Sequence, residues 1–240
     1  MIKRVVLESG GLDSFLCWYI FRQDALNVFV DIGHKYSRKE GRALGNLKEQ
    51  VPNFNVVEHK GSQIGPLEDE KSGIIPNRNA ELILSAAVYG ERIYFGVIKD
   101  EINSDKSLEF IKAMEDVLDI SNRKQYWTEE KTFKVMSPYK NTTKTQLIKD
   151  YLADGGNPDI LLESYSCYEG KEELCGWCKP CFRKWVSLHN NEIAIPENYY
   201  KNDPWDAPWL PELKPIILEG RYRGMEDIDW CSALSDKGKL

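Results

Sequence analysis

Short apolar runs alternate with longer segments of mixed character through the first two-thirds of the chain. Residues 3–8 (KRVVLE), 27–34 (NVFVDIGH), 53–59 (NFNVVEH), 92–98 (RIYFGVI) and 133–139 (FKVMSPY) are brief and rich in β-branched and aromatic residues, which predicts five strands. Between them, 14–22 (SFLCWYIFR) is apolar nearly all round and predicts a helix packed on more than one side. Residues 37–51 are helical in outline but carry two glycines, 79–90 have the spacing of a buried helix, and 107–121 are amphipathic. Residues 143–156 predict a fifth helix, with Thr143 and Gln146 spaced as a capping box and Gly155 as a stop. Residues 60–77 read as a loop rich in Gly, Pro and charge. Strands alternating with helices predict an α/β fold: a parallel five-stranded sheet sandwiched by helices. The pattern fails near residue 190, where NNEIAIPENYYKNDPWDAPWLPELKP is rich in Pro, Asn, Trp and Tyr and has little periodicity. The expected organisation is an α/β domain over 1–160, a cysteine-bearing helical segment over 161–190, and an irregular extension over 191–240.

Composition narrows the partners. The 240 residues are 42% hydrophobic, enough for a sizeable core, and carry 32 basic against 38 acidic side chains, a net charge of −6. That balance argues against a protein that wraps a polynucleotide, which shows a basic footprint. A small anion remains compatible, because backbone dipoles bind one without a basic surface. Neither a signal-peptide run nor a membrane-length apolar stretch is found, so the expected setting is cytoplasmic, with no membrane partner. In a reducing compartment, clustered cysteines read as metal ligands or catalytic groups before disulfides.

The first strand runs into Ser9-Gly10-Gly11-Leu12-Asp13-Ser14 and then directly into a helix. Ligands of open parallel sheets bind at the carboxyl ends of strands. A glycine pair there permits a tight turn with outward N–H groups, and the helix that follows points its positive end into the same space. An ordinary strand–helix turn is the plain alternative. The string is neither a GxGxxG fingerprint nor a GxxxxGK[ST] loop. It resembles the SGGxDS loop of the PP-loop (N-type) ATP pyrophosphatases, which bind pyrophosphate there and transfer AMP to a substrate oxygen. The resemblance implies Ser9, Gly10, Gly11, Leu12, Asp13 and Ser14 at the phosphates of ATP. Ionised, Asp13 cannot donate to phosphate, so it holds Mg²⁺ or orients the loop.

Cys167, Cys175, Cys178 and Cys181 follow the spacing C-x7-C-x2-C-x2-C. Two intervening residues let one knuckle present two thiolates to a tetrahedral ion, a zinc pattern; four thiolates would close the shell of Zn²⁺ and make it structural. A [4Fe–4S] cluster takes the same four ligands, and a redox CxxC and a chance grouping are the remaining readings. Cys17 reads as core, and Cys231 has no evident partner.

Together, SGGLDS and SCY…CGWCKPC resemble the 7-cyano-7-deazaguanine (preQ0) synthase, or QueC, family. Residues 75–91 (IPNRNAELILSAAVYGE) resemble its PxRN-plus-helix segment and 137–148 (SPYKNTTKTQLI) its P…TK…I segment, so the likeness covers about 3–188. It implies ATP-dependent conversion of 7-carboxy-7-deazaguanine and ammonia to the nitrile, an adenine-nucleotide α-hydrolase-like fold, and a homodimer. It places Lys144 at the phosphates with Asp13 and Ser14 as catalytic residues, and Arg78 and Asn79 at the nucleotide. Lys144 also reads as a solvated surface lysine, and Asn79 as an N-cap. The family's Tyr-Pro-Asp-Cys-Arg segment is altered: Ile102-Asn103-Ser104-Asp105-Lys106-Ser107 keeps only the Asp. That opens a second reading, in which the activated acid is joined to another amine such as a protein terminus. A zinc-knuckle nucleic-acid module and a tRNA-thiolating PP-loop enzyme are the further alternatives; the acidic balance opposes the first and the occupied cysteines oppose the second. His34 is expected to line the site without a catalytic part; His59 and His189 have no constellation around them. Tyr36 and Arg38 fall at a short polar run after the second strand. Phe182 and Trp185 are expected to seal the cysteine knuckle, the alternative being a stacking platform for a planar base.

Overall fold

The structure, a computed structural model, describes residues 3–21, 24–70, 72–96, 104–171 and 173–240. At its centre lies a sheet of β1 (Arg4–Leu7), β2 (Ala25–Asp31), β3 (Val56–Lys60), β4 (Arg92–Tyr94) and β5 (Lys134–Met136). Every pairing is parallel and the order is β3-β2-β1-β4-β5. Side chains alternate across it: Val6 and Phe29 enter one core, Val5, Val28 and Val30 the other. The first core is covered by α1 (Leu12–Phe21), α2 (Ser37–Gln50) and α5 (Lys144–Ala153), the second by α3 (Arg78–Ala86) and α4 (Leu108–Ser121). Burial on both faces explains why the strands read as near-continuous apolar runs. β1 feeds β2 on one side and pairs with β4 on the other, so the winding reverses there. A crevice opens at such a point, beyond the carboxyl ends of the strands.

Boundaries differ from the sequence expectations where side chains do not decide them. β4 leaves its ladder after Tyr94, and Val97 and Ile98 of the expected strand lie outside the described residues, as does Arg22 of the first helix. Thr143 caps α5 by accepting from the Gln146 N–H at 3.3 Å. The Gln146 amide reaches Asp150 at 2.7 Å instead of returning to the cap, so half of the capping box forms. Gly155, at φ 82°, follows the end of α5.

The C-terminal part holds more order than its sequence predicts. After α6 (Pro158–Glu163) and α7 (Lys179–His189), the stretch expected to be irregular contains α8 (Leu210–Leu218) and α9 (Met225–Asp236). Pro211 and Pro215 interrupt the periodicity of α8, and its apolar face is defined only by the helices it meets. Phe182, Trp185 and Val186 of α7 form a core with Leu210 and Ile217 of α8 and Trp230, Ala233 and Leu234 of α9. The Trp230 ring lies 4.7 Å from that of Phe182 and 5.5 Å from that of Tyr222. Trp230→Ala is expected to cost about 3–5 kcal/mol, measured by urea unfolding; a loss below about 1 kcal/mol would mean that the extension is not part of the packed core. Among the described residues, no helix is long and apolar enough to cross a membrane.

Candidate active site

The crevice at the carboxyl end of β1 is lined by Ser9, Gly11, Leu12, Asp13 and Ser14 from the first turn, Arg78 and Asn79 from α3, and Lys144 from α5. Gly10 sits behind this surface. At φ 68° it adopts a backbone conformation that favours glycine, and a Cβ there would come within 2.8 Å of the Glu40 carbonyl oxygen. Its own carbonyl accepts from Tyr165 N–H at 2.7 Å, which ties the turn to the segment before Cys167. The N–H groups of Gly11, Leu12, Asp13 and Ser14 have no acceptor among the described residues. They form the positive opening of α1, suited to an anion.

The Ser9 and Gly10 N–H groups are differently placed. Both donate to Oε1 of Glu8, each at 3.0 Å, and the Ser14 hydroxyl donates to the same oxygen. Glu8 is only 3% exposed, and its Oε2 has no hydrogen-bond partner among the described residues. Burial pushes its carboxyl up to about 7, against the Ser14, Gly10 and Ser9 hydrogen bonds and with help from the charge of Glu40. Sequence reasoning missed Glu8 because it closes a strand-like run; the signal was a carboxylate ending an otherwise buried strand.

Lys144 is 8% exposed and its ammonium pairs with the Asp13 carboxylate, so it is no solvated surface lysine. The pair joins the start of α1 to the start of α5 across the crevice. Asn79 is not the helix cap: Asn77, at φ 58°, holds that position, and the Asn79 amide donates to the Asp105 carbonyl at 3.4 Å. Arg78 opens α3, and its guanidinium makes no hydrogen bond or ion pair with another described residue. His34, Tyr36 and Glu40 complete that wall. The His34 ring lies against Tyr36 with centroids 4.0 Å apart and planes inclined at 31°, its Nδ1 meets the Ser37 hydroxyl at 2.6 Å, and its Nε2 lies 3.2 Å from Glu40. Burial lowers the His34 pKa, but the Glu40 hydrogen bond and charge more than offset it and the net shift is upward. His59 instead bonds Tyr89 at 3.0 Å, and His189 lies 3.3 Å from Asp236, both away from the crevice.

Within the altered segment, Ile102 and Asn103 lie outside the described residues. Ser104–Lys106 form a single turn, Ser107 caps α4 by accepting from Phe110 N–H at 3.0 Å, and Lys106 lines the crevice. On the opposite wall stands Arg183, another residue that sequence reasoning passed over. It reaches Glu226 of α9 at 3.2 Å, and Glu226 also pairs with Arg223. The extension thus fixes a guanidinium that lines the crevice.

The ligand atoms of Cys167, Cys175, Cys178 and Cys181 lie within 4.8 Å of one another. A tetrahedral ion with metal–sulfur bonds of about 2.3 Å holds its sulfurs about 3.8 Å apart, so the four thiols fit a single metal ion. Backbone donors already point at the sulfurs: Cys178 N–H to Cys175 Sγ at 3.2 Å, and Cys175 N–H to Cys167 Sγ at 3.4 Å. Gly176, at φ 80°, has no room for a side chain, since a Cβ would lie 1.8 Å from the Asn202 carbonyl oxygen. The apolar cover comes from Leu174, Tyr165, Tyr199 and Tyr200. Phe182 and Trp185, expected to seal the knuckle, turn the other way into the core shared with α8 and α9, because the extension supplies them with a larger apolar partner. Cys17 is buried within α1, and Cys231 packs beside the C-terminal core. Lys184 is wholly buried; burial drops its pKa to about 7, and its ammonium donates to the Leu162 and Ser164 carbonyls and to the Tyr199 hydroxyl.

Comparison with known proteins matches residues 62–192, just over half the chain, to the family described as queuosine biosynthesis protein QueC. The 7-cyano-7-deazaguanine synthase 1 of Colwellia psychrerythraea is 28% identical over 224 residues, covering 82% of this chain and 98% of that protein. The 7-cyano-7-deazaguanine synthase of Pseudoalteromonas translucida is 27% identical over 226 residues with the same coverage. Among solved structures, the U34-tRNA thiolase NcsA from Methanococcus maripaludis, with its [4Fe-4S] cluster, aligns over 95% of this chain and 72% of its own at 16% identity and a TM-score of 0.41. By the match to its family model, this chain belongs to the queuosine biosynthesis protein QueC family.

Proposed function

We propose that the protein uses ATP to convert 7-carboxy-7-deazaguanine and ammonia to 7-cyano-7-deazaguanine. The supporting observation is the convergence of four N–H groups without an acceptor among the described residues, the Asp13–Lys144 pair and the Arg78 guanidinium in one crevice at the switch point of the sheet. A carboxylate is a poor electrophile because its leaving group would be oxide. Its oxygen attacks the α-phosphorus of ATP and pyrophosphate leaves; ammonia then attacks the acyl carbon and AMP leaves, giving the amide. The amide oxygen attacks the α-phosphorus of a second ATP, again with loss of pyrophosphate, and departure of AMP from carbon with loss of the nitrogen's protons gives the nitrile. Each transfer builds negative charge on phosphate oxygens, which the Gly11–Ser14 N–H groups and the end of α1 stabilise without reorganising. Ser14 is held at the loop through Glu8, so its hydroxyl positions the turn. Lys144 serves as a phosphate contact oriented by Asp13, and Arg78 and Asn79 contact the nucleotide. Mg²⁺, with Asp13 as a protein ligand, would neutralise phosphate charge. Zn²⁺ on Cys167, Cys175, Cys178 and Cys181 would be structural, holding the Tyr165–Cys167 segment against the loop.

The altered segment at 102–107 favours a second reading, in which an amine other than ammonia attacks the acyl adenylate. An Arg meets a carboxylate with a rigid fork that Lys106 cannot reproduce, so recognition on that side differs. Mass spectrometry of the products decides. Incubation with ATP, Mg²⁺, ammonia and the acid is expected to yield the nitrile with acid-dependent AMP. A conjugate to a protein amine without nitrile would establish the second reading, and AMP formation that ignores the acid would refute both.

A further inference from the structure

A phosphate loop works by offering convergent N–H groups to an anion. In this chain a side-chain anion already occupies part of the offer. Oε1 of Glu8 accepts from the Ser9 and Gly10 N–H groups at 3.0 Å each and from the Ser14 hydroxyl, while Gly11 to Ser14 present theirs to the crevice. Glu8 lines the crevice together with Ser9 and Ser14, so two of the donors it holds open onto the ligand space; the Ser9 N–H also lies 3.2 Å from the Ser14 hydroxyl oxygen. We infer that Glu8 is an internal competitor for the loop: a phosphate ligand takes the Ser9 N–H and the Ser14 hydroxyl from it, and the freed carboxylate takes up a proton from solvent. The inference rests on the loop's binding phosphate, as proposed above, and not on the identity of the acid.

The geometry explains why displacement and protonation go together. Glu8 is 3% exposed, and its Oε2 has no partner among the described residues. Stripped of the Ser9 and Ser14 donors, an ionised Glu8 would be a buried charge beside a phosphate, and both burial and like charge favour the neutral acid. A neutral carboxyl also accepts more weakly than a carboxylate, so it yields the donors more readily. The titratable groups around it raise this tendency. Glu40 of α2 adds like charge, and Cys17 and Asp13 of α1 lie on the helix that follows the loop. Lys144 of α5 is engaged with Asp13, and the other cationic side chains of the crevice, Arg78, Lys106 and Arg183, stand on separate elements. With the carboxyl pushed up to about 7 while it holds the Ser14, Gly10 and Ser9 hydrogen bonds, the competitor is half ionised at neutral pH in the ligand-free chain.

The sign follows directly. Ligand binds the form in which Glu8 is neutral, so affinity falls as pH rises through about 7 and levels off below it. Isothermal titration of the full chain with inorganic pyrophosphate, in buffers of different ionisation heat, reads both affinity and proton uptake. Relative to Glu8→Gln, which cannot ionise, the wild-type protein is expected to bind about tenfold more weakly at about pH 8 and equally at about pH 6, with nearly one extra proton taken up at the higher pH. Glu8→Leu, which removes the acceptor, is expected to share the flat profile and covers the case in which Glu8→Gln fails to fold. Independently of any variant, the Ser9 and Gly10 amide resonances of the free wild-type chain are expected to titrate with a midpoint near 7. Parallel profiles of wild type and variant, or amide resonances that do not titrate, overturn the inference alone. A wild-type chain that binds no pyrophosphate at any pH overturns the phosphate reading of the loop and this inference with it.

Discussion

Asp13→Ala is expected to lower acid-dependent AMP release by about a hundredfold or more, the range found when one preorganised charge stabiliser is removed from an active site. Asp13 sits in the first turn of α1, where its carboxylate engages the buried Lys144 ammonium from the start of α5. Removing it withdraws the group that aims Lys144 and the proposed ligand of Mg²⁺ together. Lys144→Met is expected to act on the same step, and the double variant should be little worse than either single one, because the two side chains work as a unit. Asp13→Ala also strands a buried ammonium, which by itself costs stability. Unfolding must therefore be followed alongside turnover, and Asp13→Asn, which keeps the shape, separates the two effects. Near-normal AMP release from a folded Asp13→Ala protein would remove the turn from the chemistry.

Loss of the proposed metal is expected to be as severe for a different reason. Structural zinc sites in small domains contribute apparent binding energies of about 10–16 kcal/mol, comparable to the whole stability of a typical protein. The four cysteines span Cys167 to Cys181, with Tyr165 beside them donating to Gly10 of the loop and Gly176 pressed on Asn202 of the extension. Cys178→Ser, or a strong chelator, is therefore expected to abolish cooperative unfolding of the C-terminal part and to remove nucleotide binding as well. Elemental analysis, circular dichroism and nucleotide titration on the same sample test this. One zinc per chain, lost in step with structure, supports the closed tetrahedral site. Visible absorption with iron and sulfide in its place would assign a cluster, and a metal-free chain that stays folded and binds nucleotide would refute the structural role.

How legible the molecule was in its sequence depended on whether the deciding contacts were local. Five short apolar runs separated by helical periodicity specify a parallel sheet, because strands buried on both faces admit few polar residues. The turn at Ser9–Ser14 was readable because glycine is needed where backbone approaches backbone, as Gly10 does with Glu40. The cysteine spacing was readable because two-residue knuckles hold thiolates at bonding distance. The extension was not, since Pro211 and Pro215 hide the period of α8 and its apolar face has meaning only against α7. Nor were Glu8, Arg183 and Lys184, which are ordinary charged residues until their surroundings are known.

The sequence by itself therefore determined the layered α/β architecture, the place of the glycine turn after β1 and the grouping of the four cysteines, all of which follow from spacings of a few residues. Only the tertiary structure decided that Lys144 is buried against Asp13, that Glu226 of the last helix fixes a crevice arginine, and that Glu8 occupies two of the loop's own donors. Those are contacts between elements, or consequences of burial. The free energy of a charge depends on the dielectric and partners that the whole fold places around it, and no local pattern encodes that.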